Sequence, residues 1–320
     1  AAILWAQGQP LSVEEVDLDP PGPGEVLVEI RGAGVCHSDL HAALGDWPMR
    51  TPLVLGHEGA GVVRDVGPAV TSVKAGDHVV FCWAPGCGVC PSCGAGQAAL
   101  CDRLDRTAYR NRLPAGTSRL RGRGERLHPF LGIGCFADFA VVGEGSAVVV
   151  DRHVPFDALA TIGCAVVTGV GAVLSAVSVP AGARVAVIGS GGVGLNVVQA
   201  GRLAGCEQII AIDRHAAPLA LATLFGATEA REAPPGIADA VRELTQGRGA
   251  DFVFDTVGTP STVSEALAAV RKGGTVVLTG LSRADARADV QLFPFVVQGK
   301  RLIGSVYGSG RPAEDIGRLV

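Results

Sequence analysis

Four cysteines lie close together in a short segment of the chain that also contains glycine and proline. Cys87, Cys90, Cys93 and Cys101 have the spacing C-x2-C-x2-C-x7-C. Four thiolates so close in sequence can complete the tetrahedral coordination of a zinc ion and leave no position open, which defines a structural site. Four unliganded thiols in one loop would instead expose reactive sulfur without any gain. The spacing therefore predicts a structural zinc site.

Three further residues of zinc-ligand type are dispersed along the chain. They are Cys36, His57 in Gly56-His57-Glu58, and Cys164. Three protein ligands would leave the fourth position of a zinc ion open for water or substrate, as a catalytic zinc requires. Spacing alone does not unite them, and a single Cys or His is more often a core residue. On the residues alone both interpretations stay open.

A glycine-rich motif lies later in the chain, where Gly189-Ser190-Gly191-Gly192-Val193-Gly194 matches the pattern GxGxxG. It follows a predicted strand over 184–188 and opens a predicted helix over 192–204. In this context the first glycine makes a tight turn, the second lets the backbone approach a pyrophosphate, and the last lets the helix pack on the sheet. A purely structural turn is the alternative. The motif predicts that a dinucleotide binds here.

An acidic residue, Asp213, ends the next predicted strand. A carboxylate there accepts hydrogen bonds from the adenosine ribose hydroxyls and repels a 2′-phosphate, so it favours NAD over NADP. Arg214, the next residue, is the one feature that opposes this preference.

The elements that must position these residues change in character along the chain. Up to about residue 150 short strands alternate with turns, and from about residue 165 apolar strands alternate with amphipathic helices, which is typical of a parallel sheet. We predict a first domain over 1–165 and a nucleotide-binding domain over 166–306. Predicted strands cover 25–30, 61–66, 78–81, 137–142, 184–188, 208–212, 252–255, 275–279 and 302–306, and helices cover 192–204 and 262–270.

Composition restricts the class of protein. The chain has 320 residues, of which 48% are hydrophobic, and a formal net charge of −4. This charge argues against a nucleic-acid partner, and the apolar runs carry too much Gly, Pro and polar residue for a membrane span. The first residues form a strand-like run without signal-peptide character. In a chain without a signal peptide, nine cysteines favour metal sites in a reducing compartment over disulfides. We expect a cytoplasmic protein.

Taken together, these motifs closely resemble those of the zinc-containing medium-chain alcohol dehydrogenases, over essentially the whole chain. The resemblance is carried by GVCHSD at 34–39, GHEGAG at 56–61, the cysteine loop at 87–101, IGC at 162–164 and the glycine motif at 189–194. It implies an α/β fold with a β-rich GroES-like catalytic domain and a Rossmann domain built on a doubly wound parallel sheet. It also implies one catalytic and one structural zinc ion per chain, and NAD.

The same resemblance assigns roles to the residues around the catalytic zinc. Cys36, His57 and Cys164 are its expected ligands, with Glu58 behind the metal as an alternate ligand. Asp39 is expected to orient the metal-bound imidazole, as a carboxylate often does.

A proton relay and cofactor contacts follow from the resemblance in the same way. The alcohol proton is expected to leave through the Ser38 hydroxyl and the nicotinamide ribose to His41, which exchanges it with solvent. His37 is expected to contact the cofactor pyrophosphate, and Thr168 to pack against the nicotinamide. For His41 and His37 alike, the alternative is an ordinary histidine on the surface without a role in the reaction.

The substrate pocket has mixed signals. The segment GDWP at 45–48 and Trp83 resemble microbial ethanol dehydrogenases, which makes Trp47, Trp83 and Phe136 the candidate pocket walls, although core packing of either Trp is the alternative. The stretch 116–132 resembles the long loop of the liver-type and formaldehyde-oxidising branch. That branch holds a carboxylate with an Arg where this chain has Asp105, which weakens the interpretation of a glutathione adduct as substrate.

The leading hypothesis is therefore an NAD-dependent zinc alcohol dehydrogenase that oxidises primary aliphatic or aromatic alcohols, and that forms a homodimer or homotetramer. The alternatives are a dehydrogenase of a thiol–formaldehyde adduct and a non-catalytic relative that binds zinc and a dinucleotide. Members of the family continue beyond the point that corresponds to residue 320 and return to the first domain. Residues 307–320 are accordingly assigned to that return, with the tail interpreted as truncated.

Overall fold

The computed structural model describes residues 1–233 and 236–320. Within them the chain divides into two compact units, Ala1–Val167 with Gly310–Val320, and Thr168–Ser309. The strands are β1 (Ala2–Leu4), β2 (Ser12–Val13), β3 (Asp17–Leu18), β4 (Glu25–Gly34), β5 (Leu53–Val54), β6 (Glu58–Val66), β7 (His78–Phe81), β8 (Leu120–Gly122), β9 (Glu125–Arg126), β10 (His128–Pro129), β11 (Phe139–Gly143), β12 (Ala147–Val149), β13 (Arg184–Ile188), β14 (Gln208–Asp213), β15 (Glu229–Glu232), β16 (Ala250–Asp255), β17 (Val270–Leu278) and β18 (Arg301–Gly304).

The helices are fewer and lie mainly in the second unit. The α-helices are α1 (His37–Leu44), α2 (Pro91–Gly94), α3 (Phe156–Thr161), α4 (Val167–Gly171), α5 (Gly192–Leu203), α6 (Ala216–Phe225), α7 (Ile237–Leu244), α8 (Pro260–Ala269), α9 (Leu292–Val297) and α10 (Pro312–Leu319). Short 3-10 turns cover Ala98–Leu100, Leu104–Arg106, Ala108–Arg110, Phe130–Gly132, Glu144–Ser146 and Tyr307–Ser309.

The first unit is built mainly from antiparallel strands, with one parallel pair between β10 and β5. Its main sheet has five strands in the order β11-β4-β6-β7-β12, and two smaller sheets have the orders β10-β5-β1-β2 and β3-β8-β9. The longest pairing joins β4 to β6 and places Gly34 opposite Glu58. This pairing therefore places the segment that leads to Cys36 beside the segment that follows His57.

The second unit contains a six-stranded parallel sheet in the order β15-β14-β13-β16-β17-β18. Alternate residues of each strand enter two different cores, because successive side chains of a strand point to opposite faces. Val185 and Val187 pack in one core with residues of α5 and α6, whereas Ala186 and Ile188 pack in the other with residues of α7 and α8. Helices thus cover both faces, and the predicted α/β class with a doubly wound sheet is confirmed.

The predicted strands differ from the observed ones mainly at their ends. The strand predicted over 25–30 continues to Gly34, and the one predicted over 61–66 begins at Glu58. The glycines at these ends interrupt the hydrophobic alternation from which strands are predicted. The hydrogen bonds between β4 and β6 need only backbone N–H and C=O groups, so the pairing continues through the glycines. The strand predicted over 302–306 ends instead at Gly304.

One helical stretch, Phe156–Ala176, is long and apolar enough to cross a membrane by length and composition alone. Of its most apolar window, 61% is buried inside the protein, which is the behaviour of a core helix. It is interrupted by two π-helical turns, Ile162–Val166 and Ala172–Ala176. Such turns often mark functional positions in helices.

The strand order of the second unit reverses between β13 and β16, and the loops that follow these two strands meet. The Thr256 hydroxyl donates to the carbonyl oxygens of Ile188 and Gly189, at 3.0 and 3.1 Å. In open α/β sheets the crevice at such a reversal is where ligands bind. The glycine motif therefore begins at the expected position of a ligand site.

Two glycines of this motif have different structural requirements, which a pair of variants separates. A Cβ at Gly194 would overlap the carbonyl oxygen of Gly189, whereas a Cβ at Gly191 meets no atom within 4 Å. We expect Gly194→Ala to lower the free energy of unfolding by about 1–3 kcal/mol through overpacking. Gly191→Ala should stay within about 0.5 kcal/mol of the parent chain. Denaturant unfolding monitored by circular dichroism measures both, and equal losses would contradict this account of the loop.

Candidate active site

The dispersed residues of zinc-ligand type come together in the first unit. Cys36, His57, Glu58 and Cys164 each offer one ligand atom, and these atoms all lie within 4.8 Å of one another. Cys36 precedes α1, His57 and Glu58 lie at the start of β6, and Cys164 lies in the π-helical turn Ile162–Val166. The fold therefore assembles the set that spacing alone did not unite.

Cys36 occupies the N-cap position of α1. Its sulfur accepts a hydrogen bond from the backbone N–H of Ser38 at 3.5 Å. A hydrogen bond from Cys164 lowers the pKa of the Cys36 thiol to about 3, against the opposing effect of burial and with further help from His57. The same hydrogen bond, together with burial, raises the pKa of the Cys164 thiol well above its usual value. Cys164 is therefore the partner that keeps its proton. These contacts favour the thiolate form of Cys36, which is the form that binds a cation.

Asp39 holds these ligands in place. It is only 3% exposed. Its carboxylate accepts hydrogen bonds from the backbone N–H of Cys36 at 3.1 Å, from the backbone N–H of Gly56 at 2.9 Å, and from His57 Nδ1 at 3.3 Å. With Nδ1 bound to a carboxylate, Nε2 is the ring nitrogen that His57 can offer to a metal.

The electrostatics of His57 follow from the same contacts. Burial lowers the pKa of its imidazole, but the hydrogen bonds to Asp39 and Cys36 outweigh this effect and raise the pKa to about 10. The ring also meets Phe130 edge-on, with centroids 5.4 Å apart. The imidazole is therefore fixed by two polar neighbours, Asp39 and Cys36, and by the apolar ring of Phe130.

The Glu58 side chain lies near Cys36 and occupies space that is open because residue 34 is a glycine. A Cβ at Gly34, its partner across the sheet, would overlap Oε2 of Glu58. Burial, followed by the negative charge of Cys36, raises the pKa of the Glu58 carboxyl to about 7. Two thiols, an imidazole and a carboxyl group form a donor set that suits zinc, and Glu58 can serve as an alternate ligand.

The four cysteines of the loop form a second cluster, whose sulfur atoms also lie within 4.8 Å of one another. The sulfurs of Cys90 and Cys101 are 3.9 Å apart. That value matches the separation of about 3.8 Å that tetrahedral Zn–S bonds of roughly 2.3 Å require. Backbone N–H groups of Val89 and Cys90 lower the pKa of the Cys87 thiol to about 6, whereas burial raises that of Cys101 to about 12. The four sulfurs fit a closed structural zinc site.

The predicted relay residues share one side of α1. The Ser38 hydroxyl lies 3.5 Å from the Cys36 sulfur, and His41 follows three residues later, on the same helix face. Nδ1 of His41 lies 2.7 Å from a carboxylate oxygen of Asp46. His37 is exposed, with its ring centroid 6.0 Å from that of His41. Ser38 therefore lies beside the candidate metal site and His41 lies further out.

The three predicted pocket aromatics have two different environments. Trp47 and Phe136 pack against the same apolar cluster, which contains the Phe130 ring that touches His57. Trp83 is buried and packs instead against Tyr109, at 6.0 Å between ring centroids. Trp47 and Phe136 thus share a cluster that reaches the candidate metal site.

The candidate dinucleotide site lies in the second unit. Gly189 has a φ of +90°, in the left-handed region that a side chain disfavours. Gly191 is the N-cap of α5, so Gly192, Val193 and Gly194 form the first turn of this helix, where an anion is favoured. The carboxylate of Asp213 accepts hydrogen bonds from the backbone N–H of Ser190 at 2.7 Å and of His215 at 3.0 Å. Arg214 is exposed, and Thr168, in the same unit, is buried.

Several residues of the site escaped the sequence analysis. Asp46 pairs with His41, Thr256 supports the glycine turn, and Phe130 contacts His57. Gln7 holds the turn that contains Trp47. Asp46 belongs to the GDWP segment and Phe130 to the stretch 116–132, but neither segment gave these residues a role, and Gln7 and Thr256 lie in no motif of recognisable spacing.

The chain is similar to known proteins along almost its whole length. The chain matches the family model described as alcohol dehydrogenase GroES-like domain over residues 22–152 and the one described as zinc-binding dehydrogenase over residues 192–319. It is 42% identical to putative alcohol dehydrogenase D of Mycobacterium tuberculosis, over 100% of this chain and 88% of that protein. It is 40% identical to an NDMA-dependent alcohol dehydrogenase of Amycolatopsis methanolica, over 100% of this chain and 87% of that protein.

Among solved structures, the benzyl alcohol dehydrogenase of Acinetobacter calcoaceticus superposes with a TM-score of 0.91 at 30% identity. The match covers 100% of this chain and 87% of that chain. The likeness therefore extends over both units.

The two clusters predict that two zinc ions bind independently. We expect Cys36→Ser and Cys87→Ser each to lower the zinc content of the purified protein from two ions per chain to one, because each removes a thiolate from a different cluster. Inductively coupled plasma mass spectrometry after gel filtration measures this. Cys206→Ser, which changes a half-buried cysteine outside both clusters, is the control and should keep both ions. Unchanged zinc in either cluster variant would refute that site.

Proposed function

This chain belongs to the zinc-binding alcohol dehydrogenase family, and on that premise we propose that it oxidises primary alcohols, aliphatic or aromatic, to aldehydes with NAD as the hydride acceptor. The observation that carries the proposal is the cluster of Cys36, His57, Glu58 and Cys164, with the Ser38 hydroxyl 3.5 Å from the Cys36 sulfur. A ligand set for a cation and a proton-accepting oxygen are the two parts that the removal of an alcohol proton needs.

In this proposal Cys36, His57 and Cys164 hold a zinc ion, and Glu58 is an alternate ligand. A zinc ion bound there supplies Lewis acidity toward a substrate oxygen. Asp39 keeps His57 in the orientation and tautomer that suit metal binding. The apolar cluster behind His57 excludes water from one side of the site.

The proton of the alcohol then has a route along α1. Ser38 accepts it at Oγ as its own proton passes on, and His41 takes a proton from the relay and releases it to water. The imidazole suits this task because one ring nitrogen can accept a proton while the other keeps its hydrogen. We assign Ser38 and His41 as the relay, and Trp47, Trp83 and Phe136 as pocket walls for the organic part of the substrate.

The assignment of NAD is supported by the end of β14. The Gly189 turn and the start of α5 offer backbone N–H groups to a pyrophosphate. Asp213, already fixed by two backbone N–H groups, presents a negative charge that disfavours a 2′-phosphate. In this proposal His37, Thr168 and Arg214 also contact the cofactor.

The first experiment follows the formation of NADH spectrophotometrically with a panel of short aliphatic and aromatic alcohols, with and without a strong zinc chelator. We expect turnover that the chelator abolishes, and a preference for NAD over NADP that falls by about tenfold in Asp213→Ala because the repulsion of the 2′-phosphate is lost. Glu232→Ala, an exposed carboxylate on the neighbouring strand, is the matched control. Preference for NADP in the parent chain would contradict the role of Asp213.

The same experiment also tests another hydride acceptor and another class of substrate. The relative from Amycolatopsis methanolica is named as NDMA-dependent, so the assay includes NDMA as acceptor. The loop over 116–132 motivates a second arm with formaldehyde and a thiol. Turnover only with NDMA, or only with formaldehyde and thiol together, would replace the proposed acceptor or substrate.

We also propose that the chain forms a homodimer or homotetramer in the cytoplasm. Helix α9 exposes Leu292, Phe293 and Val296 at 73%, 79% and 72%, and a contiguous apolar surface of this kind usually meets a partner. The nearby strand β18 is an edge of the parallel sheet.

Sedimentation velocity should give a multiple of the 32.5 kDa chain mass, and Phe293→Glu should shift the protein towards monomer. A monomeric parent chain would refute this proposal.

A further inference from the structure

A carboxylate on the turn after α1 contacts the outer residue of the proposed relay. Helix α1 ends at Gly45, whose φ of +86° reverses the chain. The backbone N–H of Asp46 then donates to the carbonyl oxygen of His41 at 3.0 Å. This return places an oxygen of the Asp46 carboxylate 2.7 Å from His41 Nδ1. Both side chains are largely withdrawn from solvent, with exposures of 16% and 17%.

We propose that Asp46 is the positioning residue of the relay: its carboxylate fixes the orientation and tautomer of His41 so that Nε2 exchanges the proton. The inference rests on the proposed function, which makes His41 part of the relay. In this role Asp46 acts through the imidazole of His41, so it is a positioning residue and not a catalytic one.

The chemistry of the hydrogen bond determines the tautomer. A carboxylate has acceptor oxygens only, so the His41 nitrogen that faces it must carry the hydrogen. With N–H at Nδ1, the neutral ring takes a proton at Nε2, becomes imidazolium and returns to the neutral form when Nε2 releases that proton to water. Nδ1 keeps its hydrogen throughout, and the nearby negative charge stabilises the transient cation.

The turn that carries Asp46 is held in place independently of this contact. The side-chain amide of Gln7 donates to the carbonyl oxygens of Ala42 and Trp47, at 2.7 and 2.8 Å, and accepts from the backbone N–H of Met49 at 3.1 Å. The Trp47 ring stacks on the His41 ring at 5.0 Å. Substitution of the Asp46 side chain therefore leaves the turn anchored, and its effect on activity can be separated from unfolding.

The chain contains a matched pair that lacks the burial. His153 Nδ1 lies 2.7 Å from a carboxylate oxygen of Asp151, the same distance as in the His41 pair, but these side chains are 95% and 63% exposed. In that setting water competes for the same hydrogen bond and little orientation results. Asp151→Asn is thus the control for a change from carboxylate to amide beside a histidine.

The test measures turnover and the His41 tautomer in Asp46→Asn. An amide can donate to Nδ1 and favour the tautomer with hydrogen at Nε2, which blocks proton uptake there. We expect kcat to fall by about tenfold, a part of the 10²–10⁴-fold that a positioned acid–base group contributes. Zinc content and the thermal midpoint should be unchanged, and Asp151→Asn should behave like the parent chain.

Two further measurements show whether Asp46 acts through His41. In a His41→Gln background, Asp46→Asn should cause no further loss. Nitrogen-15 NMR of the seven histidines, with His41 assigned by its loss in His41→Gln, should show hydrogen at Nδ1 in the parent chain and a changed tautomer in Asp46→Asn.

The inference is overturned by full kcat in Asp46→Asn, by an equal loss in the His41→Gln background, or by an unchanged tautomer. Failure of the proposed function looks different, because the parent chain would then produce no NADH from any alcohol. The NMR result does not depend on turnover and identifies the tautomer in either case.

Discussion

The geometry of the candidate active site depends on one buried carboxylate. Asp39 is 3% exposed and accepts three hydrogen bonds, from Cys36, Gly56 and His57, which lie on two separate segments of the chain. A carboxylate withdrawn from water is tolerated only when its oxygens are satisfied, so the two segments are held in one arrangement. Because it also caps α1 through the Cys36 N–H, the same contact fixes the direction in which Ser38 and His41 point.

The charges around Asp39 explain why this arrangement suits a divalent cation. Cys36, Glu58 and Cys164 lie within 4.8 Å of one another, and before metal binding they cannot all ionise. Cys164 keeps its proton and donates to Cys36, while burial and the neighbouring charge raise the pKa of Glu58 to about 7. A zinc ion held by Cys36, His57 and Cys164 would take the place of the protons as the positive partner of the two sulfurs and so relieve their repulsion.

The sequence predicted best those features whose residues lie close together along the chain. The cysteine loop and the glycine motif lie within segments of 15 and 6 residues, so spacing alone identified them. The alternation of Val185, Ala186, Val187 and Ile188 between two cores likewise follows from strand geometry. By contrast, Gln7 reaches Trp47 across 40 residues and Thr256 reaches Gly189 across 67 residues. Such contacts depend on the folded arrangement of distant segments, and no local pattern of residues encodes them.

The distribution of charge also determines how each unit attracts its ligands. The arginines of the β8–β9 region are engaged within the first unit, since Arg119 pairs with Glu25, Arg121 with Asp19 and Arg123 with Glu14. Their positive charge is thereby paired with carboxylates of the same unit. At the glycine motif the groups that would attract the phosphates of the proposed cofactor are the backbone N–H groups at the start of α5, which act only at short range. Recognition of the proposed cofactor would therefore depend on close shape complementarity and backbone hydrogen bonds at the motif, with no basic side chain required in its first turn.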